Sequence, residues 1–160
     1  LRRSIFTHIQ RSNIVNHPLT TFEDLSVGQT ASFKKTITQE DISKFIDITG
    51  DTNPIHVDAE FAGRTFFGRP IAHGMLSASL FSTLVGMHIP GTGAIYKSQT
   101  IEFLKPVHVG DTLLACFEIT AINREKEEIE IKSWIDNQAG ETVIQGVAVA
   151  GLIRTLMPVP

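Results

Sequence analysis

Residues 74–88 carry apolar side chains on nearly every side of a helical projection. Met75, Leu76, Ala78, Leu80, Phe81, Leu84 and Val85 leave no continuous polar stripe before Pro90 closes the run. A helix of that kind must be buried, so the rest of the chain has to cover it. The segments that follow change period: residues 95–104, 111–122, 128–136 and 142–152 read as strands, parted by Lys105-Pro106, Gly110, Asn123 and Asn137 to Gly140. Glu128-Ile129-Glu130-Ile131 and Lys132-Ser133-Trp134-Ile135 alternate as a sheet with one wet face does. Long antiparallel strands wrapped on one buried helix make an α+β domain. The small residues Ala78, Ser79, Ser82 and Gly86 let strands or a second subunit approach that helix closely.

The upstream half is read by its local signals. Residues 29–37 alternate as a first strand, with Ala31, Phe33 and Ile37 on one side. Thr38 is placed to cap a helix whose first turn holds Glu40 and Asp41, with Ile42, Phe45, Ile46 and Ile48 expected inward and Thr49-Gly50 ending it. Next comes Asp51-Thr52-Asn53-Pro54-Ile55-His56, a carboxylate, a carboxamide and an imidazole within six residues around a proline. Gly-Asp and Asn-Pro are ordinary turn signals, so an Asx-turn explains these letters as well as chemistry does. Asp58 caps a short helix through Ala62, and residues 63–70 form a glycine-flanked loop holding Phe66 and Phe67.

The 160 residues suit a single domain over 22–160 preceded by a basic arm over 1–21. That arm has Arg2, Arg3 and Arg11, no acid before Glu23, and Leu1, Ile5 and Ile9 at helical spacing, the composition of a mitochondrial targeting segment. A net charge of -3 without a basic, aromatic-interleaved run argues against a nucleic-acid partner. No apolar run approaches about 18 residues, which argues against a membrane span. Cys116 stands alone, so neither a disulfide framework nor zinc-ligand spacing is present, and it reads as a buried small residue.

Three stretches then carry a resemblance: Phe45-Ile46-Asp47-Ile48-Thr49-Gly50-Asp51-Thr52-Asn53-Pro54-Ile55-His56-Val57-Asp58, Arg69-Pro70-Ile71-Ala72-His73-Gly74-Met75-Leu76, and Phe103-Leu104-Lys105-Pro106-Val107. In order and spacing they resemble the MaoC-like family of (R)-specific enoyl thioester hydratases and 3-hydroxyacyl thioester dehydratases, over residues 22–153. The resemblance implies a hotdog fold, an antiparallel sheet around the central helix 74–88, working as a homodimer. It implies that Asp51 and His56 are catalytic, that Asn53 and Ser82 orient water and the active site, and that the Gly74 backbone N–H receives the thioester oxygen. It implies an acyl thioester substrate, on acyl carrier protein or coenzyme A, and no cofactor.

That chemistry makes sense of the residue types. Adding water across a trans-2-enoyl thioester needs groups that deprotonate a held water, each worth about 10²- to 10⁴-fold, and a donor for the charge that builds on oxygen. With the basic arm, the expected function is a mitochondrial 3-hydroxyacyl-acyl-carrier-protein dehydratase. The alternatives are an (R)-specific enoyl-CoA hydratase and, from another class, a thioesterase or a non-catalytic acyl-binding module. His73 is expected in a supporting role bonded to loop backbone. A metal site from His56, Asp58 and His73 lacks a convincing three-ligand spacing. Arg64, Arg69, Lys97 and Lys105 are candidates for phosphate contact or plain solvated charges.

Overall fold

The computed structural model describes residues 18–155; the first seventeen residues of the basic arm and the last five residues of the chain lie outside that range. Strand β1 (Thr30–Thr36) leads into helix α1 (Gln39–Thr49), followed by the single turns α2 (Pro54–Val57) and α3 (Ala59–Gly63). The apolar segment forms α4 (Gly74–Ala78) and α5 (Leu80–Met87), and β2 (Ala94–Gln99), β3 (Glu102–Phe103), β4 (Thr112–Asn123), β5 (Glu128–Asp136) and β6 (Thr142–Leu152) complete the chain. The sheet is antiparallel in the order β1-β4-β5-β6-β2, with β3 also paired to β6. No helix among the described residues is long and apolar enough to cross a membrane.

The core sits between the concave sheet face and α4–α5. Phe81, Leu84 and Val85 from the helix meet Phe117, Ile119, Ile131, Ile135 and Ala148 from the strands, all buried, and the Phe81 and Phe117 rings stack at 5.5 Å. In β5 the inward positions Ile129, Ile131, Ser133 and Ile135 alternate with outward Glu130, Lys132 and Trp134, the period the sequence shows. Cys116 is buried, as its isolation suggests.

Four expectations need correction. The central helix is not continuous, because the chain tightens at Ser79. Its N–H reaches both Met75 O (2.9 Å) and Leu76 O (3.2 Å), and its hydroxyl donates to Leu76 O (2.6 Å). Nor is the helix buried all round: Met75 (57% exposed) and Met87 (76%) face outward beside the exposed Ser79, Ser82 and Gly86. Ile48, 82% exposed, is not inward: six residues beyond Ile42 it lies about 240° round the helix, off the Ile42–Phe45–Ile46 face.

The run 95–104 is two strands. Thr100 crosses over Gly146 so closely that a Cβ on Gly146 would stand 1.8 Å from Thr100 O. The Thr100 hydroxyl, not its backbone, accepts the Val147 N–H at 2.9 Å. This offset re-aims the chain, so that β3 carries Phe103 toward the start of α4.

Helix α1 is started as its letters indicate. Thr38 Oγ1 accepts from Asp41 N–H (3.2 Å), the Asp41 carboxylate accepts from Thr38 N–H (2.8 Å), and Lys35 Nζ donates to Asp41 Oδ1 (2.9 Å). The Lys35 bond and those from Thr38 hold the Asp41 carboxyl at about 2, against the opposing effect of burial. Because this folded-state value lies below the ordinary 3.8, the stabilisation is complete above that value and is lost as pH falls toward about 2. Lys35 is 40% exposed and solvent screens the pair, so the contribution is about 1 kcal/mol, well under full conversion of the shift. Asp41→Asn is expected to lower urea-unfolding stability by about that amount at neutral pH, with the gap to wild type closing between about pH 4 and pH 2.

Candidate active site

Gly50 ends α1 in the left-handed region (φ +74°), its N–H donating to Ile46 O at 2.7 Å. The chain then turns on its own polar side chains. Asp51 Oδ1 accepts from Asn53 N–H (3.1 Å), and Asn53 Oδ1 accepts from Ile55 N–H (3.2 Å), which caps α2 with Pro54 in its first position. His56 rides on that turn, its N–H bonded to Asn53 O at 2.9 Å. Both readings of these letters hold together: the Asx-turn is present, and it is what presents the ionisable side chains.

Two imidazoles tie this corner to residues 71–73. His56 Nδ1 lies 2.8 Å from Ile71 O and His73 Nε2 lies 3.0 Å from Asp51 O. A carbonyl only accepts, so each of these nitrogens carries a hydrogen, which in the neutral form makes the two rings opposite tautomers. His56 presents its Nε2 lone pair. His73 is 3% exposed, its Nδ1 has no partner among the described residues, and its ring lies 3.8 Å from that of His56 and 4.9 Å from Phe45. Asp51 Oδ2 is 3.9 Å from His73 Nε2, and the Asp51 side chain is half exposed.

Asp51, His56 and His73 place donor atoms within 4.8 Å of one another, a composition that suits a metal ion. The orientation does not. His73 Nε2 and His56 Nδ1 are each already engaged with a backbone carbonyl, and the two rings lie 3.8 Å apart with planes tilted by 31°. Asp58 is committed elsewhere, capping α3 through Phe61 N–H at 2.9 Å.

Gly74 opens α4, where a first-turn N–H has no intrahelical partner, and it takes none from the other described residues. A Cβ at Gly74 would lie 2.7 Å from Phe103 Cε1. Two cavities meet here. One, of about 660 Å³, is lined by Asp51, His73, Ser82, Tyr96 and Gln99 among others. The other, of about 510 Å³, is lined by Phe66, Phe67, Phe103, Lys105, Val107 and Ile144 among others. They share His56, Gly74 and Met75.

The sequence-nominated residues therefore fall into two groups. Asp51, His56, His73, Gly74 and Ser82 line one cavity, although no hydrogen bond joins Ser82 to Asp51 among the described residues. Asn53 lines neither cavity and acts on His56 through the capped turn. Sequence reasoning missed Phe103, and also a polar chain behind the site. There the Tyr96 hydroxyl donates to Gln99 Oε1, while Gln99 Nε2 donates to Ser133 Oγ (2.9 Å) and Thr100 O (2.6 Å). Burial pushes the Tyr96 hydroxyl up to about 12, so it remains a donor. The available signal was Tyr96 and Gln99 three apart in β2, a strand that also carries Lys97 and Ser98.

A single antiparallel sheet curved round a central helix, with a carboxylate, an imidazole and a free helix-start N–H at its mouth, defines a hotdog-fold protein of the hydro-lyase class. The chain belongs to the MaoC-like family, whose MaoC like domain matches residues 24–155. It is 43% identical over 127 residues to the (R)-specific enoyl-CoA hydratase of Rhodospirillum rubrum, covering 79% of this chain and 88% of that one. To the mitochondrial 3-hydroxyacyl-[acyl-carrier-protein] dehydratase FERN of Solanum lycopersicum it is 34% identical over 138 residues, covering 85% and 82%. The solved (R)-hydratase from A. caviae involved in PHA biosynthesis superposes with a TM-score of 0.79 at 41% identity, covering 82% of this chain and 99% of that one.

Proposed function

We propose that this protein interconverts trans-2-enoyl and (3R)-hydroxyacyl thioesters by reversible syn addition of water. One observation carries the reading: Asp51, His56 and the Gly74 N–H, unpartnered among the described residues, border one cavity, supplying a water-handling pair beside an oxygen-binding donor. A water held between the Asp51 carboxylate and His56 Nε2 loses a proton to the pair as its oxygen bonds Cβ. The Cα–Cβ double bond delivers its electrons to the thioester carbonyl, and the enolate oxygen is met by Gly74 N–H, a kind of contact worth about 10²- to 10³-fold. The pair then returns a proton to Cα on the same face, so the groups are regenerated. Asp51 and His56 act as a coupled pair, and the Asn53 cap and His73 hold them in place.

Purified protein is expected to hydrate a short trans-2-enoyl thioester, followed by loss of enoyl absorbance. Asp51→Asn and His56→Ala each lower kcat by at least about 10²-fold while circular dichroism stays that of wild type. A fully active double variant would sink the assignment, and release of free thiol by wild type would make the protein a thioesterase instead.

The working unit in this reading is a homodimer. Ser79, Ser82, Gly86 and Met87 form an exposed face of α5 and the turn before it, next to the edge strand β2 with its half-exposed Ile95. A Cβ at Gly86 meets nothing within 4 Å among the described residues, so a side chain there has room within one copy and would intrude on a second copy packed on this face. Sedimentation velocity is expected to give a dimer for wild type and a shift toward monomer for Gly86→Glu; two identical profiles would remove this interface.

The carrier in this reading is acyl carrier protein and the compartment the mitochondrion. The support is the acid-free basic arm 1–21 together with the mitochondrial dehydratase FERN among the relatives. Residues 1–21 fused to a fluorescent reporter are expected to direct it to mitochondria, and diffuse fluorescence would reject that address.

A further inference from the structure

In the proposed reaction Cβ of the acyl group lies against Asp51 and His56, and Asp51 borders the larger cavity and not the smaller. The carbons beyond Cβ therefore lie in the cavity of about 660 Å³, one wall of which is Tyr96, Gln99 and Ile101. We infer that Gln99 sets the specificity of that cavity: its carboxamide, locked between Tyr96 and Ser133, is a rigid polar stop that limits the substrate to short acyl groups. The inference rests on the hydratase reading above.

The lock follows from which atoms can donate. Thr100 O only accepts, so the Gln99 atom 2.6 Å from it is Nε2, and Oε1 faces the Tyr96 hydroxyl. Tyr96 then has to donate, and its proton stays on because burial pushes the hydroxyl up to about 12. The second Nε2 hydrogen goes to Ser133 Oγ at 2.9 Å, a fully buried hydroxyl with no other partner among the described residues. An apolar side chain in this wall would yield to a longer acyl tail by changing rotamer. Gln99 cannot swing aside without breaking all three hydrogen bonds and leaving the buried Ser133 hydroxyl unmet.

The space behind the stop does not suit a methylene chain. Gln99 Nε2 fills the gap that Gly146 leaves in β6, 2.9 Å from where a Cβ would stand. Ser133, Thr100 and Gly146 also line a cavity of about 730 Å³, whose border carries Glu102, Glu130 and Lys132. That cavity and the active-site cavity share Ile101. The amide thus separates an acyl space from a charged one. A tail that displaced it would meet those charges, at the cost of their hydration.

The test measures kcat/KM for trans-2-enoyl-coenzyme A thioesters of four, six, eight and ten carbons with wild type, Gln99→Ala and Tyr96→Phe. Wild type is expected to favour four carbons over ten by about tenfold, and Gln99→Ala to raise the ten-to-four ratio by about tenfold. Tyr96→Phe keeps the ring and removes one bond of the lock. It is expected to raise the same ratio by about threefold, and it decides the matter if Gln99→Ala does not fold. A wild type that favours ten carbons overturns the proposal. So does an unchanged ratio in a folded variant, including an equal loss at every length, which is what a merely structural role would give. If wild type hydrates none of the series, the hydratase reading fails separately. Calorimetry with saturated butanoyl- and decanoyl-coenzyme A then decides the stop: an affinity gap favouring butanoyl that narrows in the variants upholds it, and any other pattern overturns it.

Discussion

The site depends on two imidazole-to-carbonyl hydrogen bonds that cross between the Asp51–His56 corner and residues 71–73. The corner has little apolar surface of its own to bury: Asp51, Thr52, Asn53 and Pro54 are all exposed. Left to turn propensity alone it would sample many conformations. His56 to Ile71 O and His73 to Asp51 O, joined by Ile71 N–H to Ile55 O at 3.2 Å, make a three-bond lacing. Each such bond contributes about 0.5–1.5 kcal/mol net, enough together to hold one arrangement over its neighbours. The carboxylate of Asp51 stays half exposed while its backbone is fixed, the combination that the proposed acid/base chemistry requires.

The lacing in turn hangs on the core. Ala72 N–H donates to Val107 O (2.7 Å), and His108 Nδ1 donates to Pro70 O (2.8 Å), tying both sides of residues 70–73 to the segment that leads into β4. Two glycines then set the depth of the mouth by what they lack. Gly146 lets Thr100 cross β6, which displaces β3, and Gly74 lets the Phe103 ring of that displaced strand rest on the start of α4. A side chain at either place would push apart elements whose separation sets the room in front of the Gly74 N–H. Helix burial and the accessibility of the Gly74 N–H are therefore settled by the same packing.

What was legible in the sequence was mostly what is local. Thr38 with Asp41, Gly50, the Asx-turn at Asn53 and the Asp58 cap all act within four residues, so their letters suffice. The strand 128–136 was legible because one dry face imposes a period of two. The break at Ser79, the outward turn of Ile48 and the split at Thr100 were not. Each depends on which face of an element meets a distant partner, or on a backbone crossing at Gly146. Within the site, the family pattern named Asp51, His56 and Gly74, but no spacing rule reports that Phe103 lies on Gly74 from 29 positions away, or that His73 bonds the backbone of Asp51.

His73 also shows why such a residue is kept despite its expense. The tautomer that bonds Asp51 O leaves Nδ1 as a buried acceptor with no partner among the described residues, a defect of about 1–3 kcal/mol. Phenylalanine would fill the same space between Phe45 and His56 without that penalty, yet it would release the Asp51 carbonyl. Glutamine could reach the carbonyl but would lose the flat face on which the His56 ring rests at 3.8 Å. Only an aromatic ring with a donor at its far edge satisfies both contacts at once. The unmet nitrogen follows from that dual demand: the ring that steadies His56 and the N–H that pins Asp51 belong to one side chain, so the proposed pair is positioned as a unit.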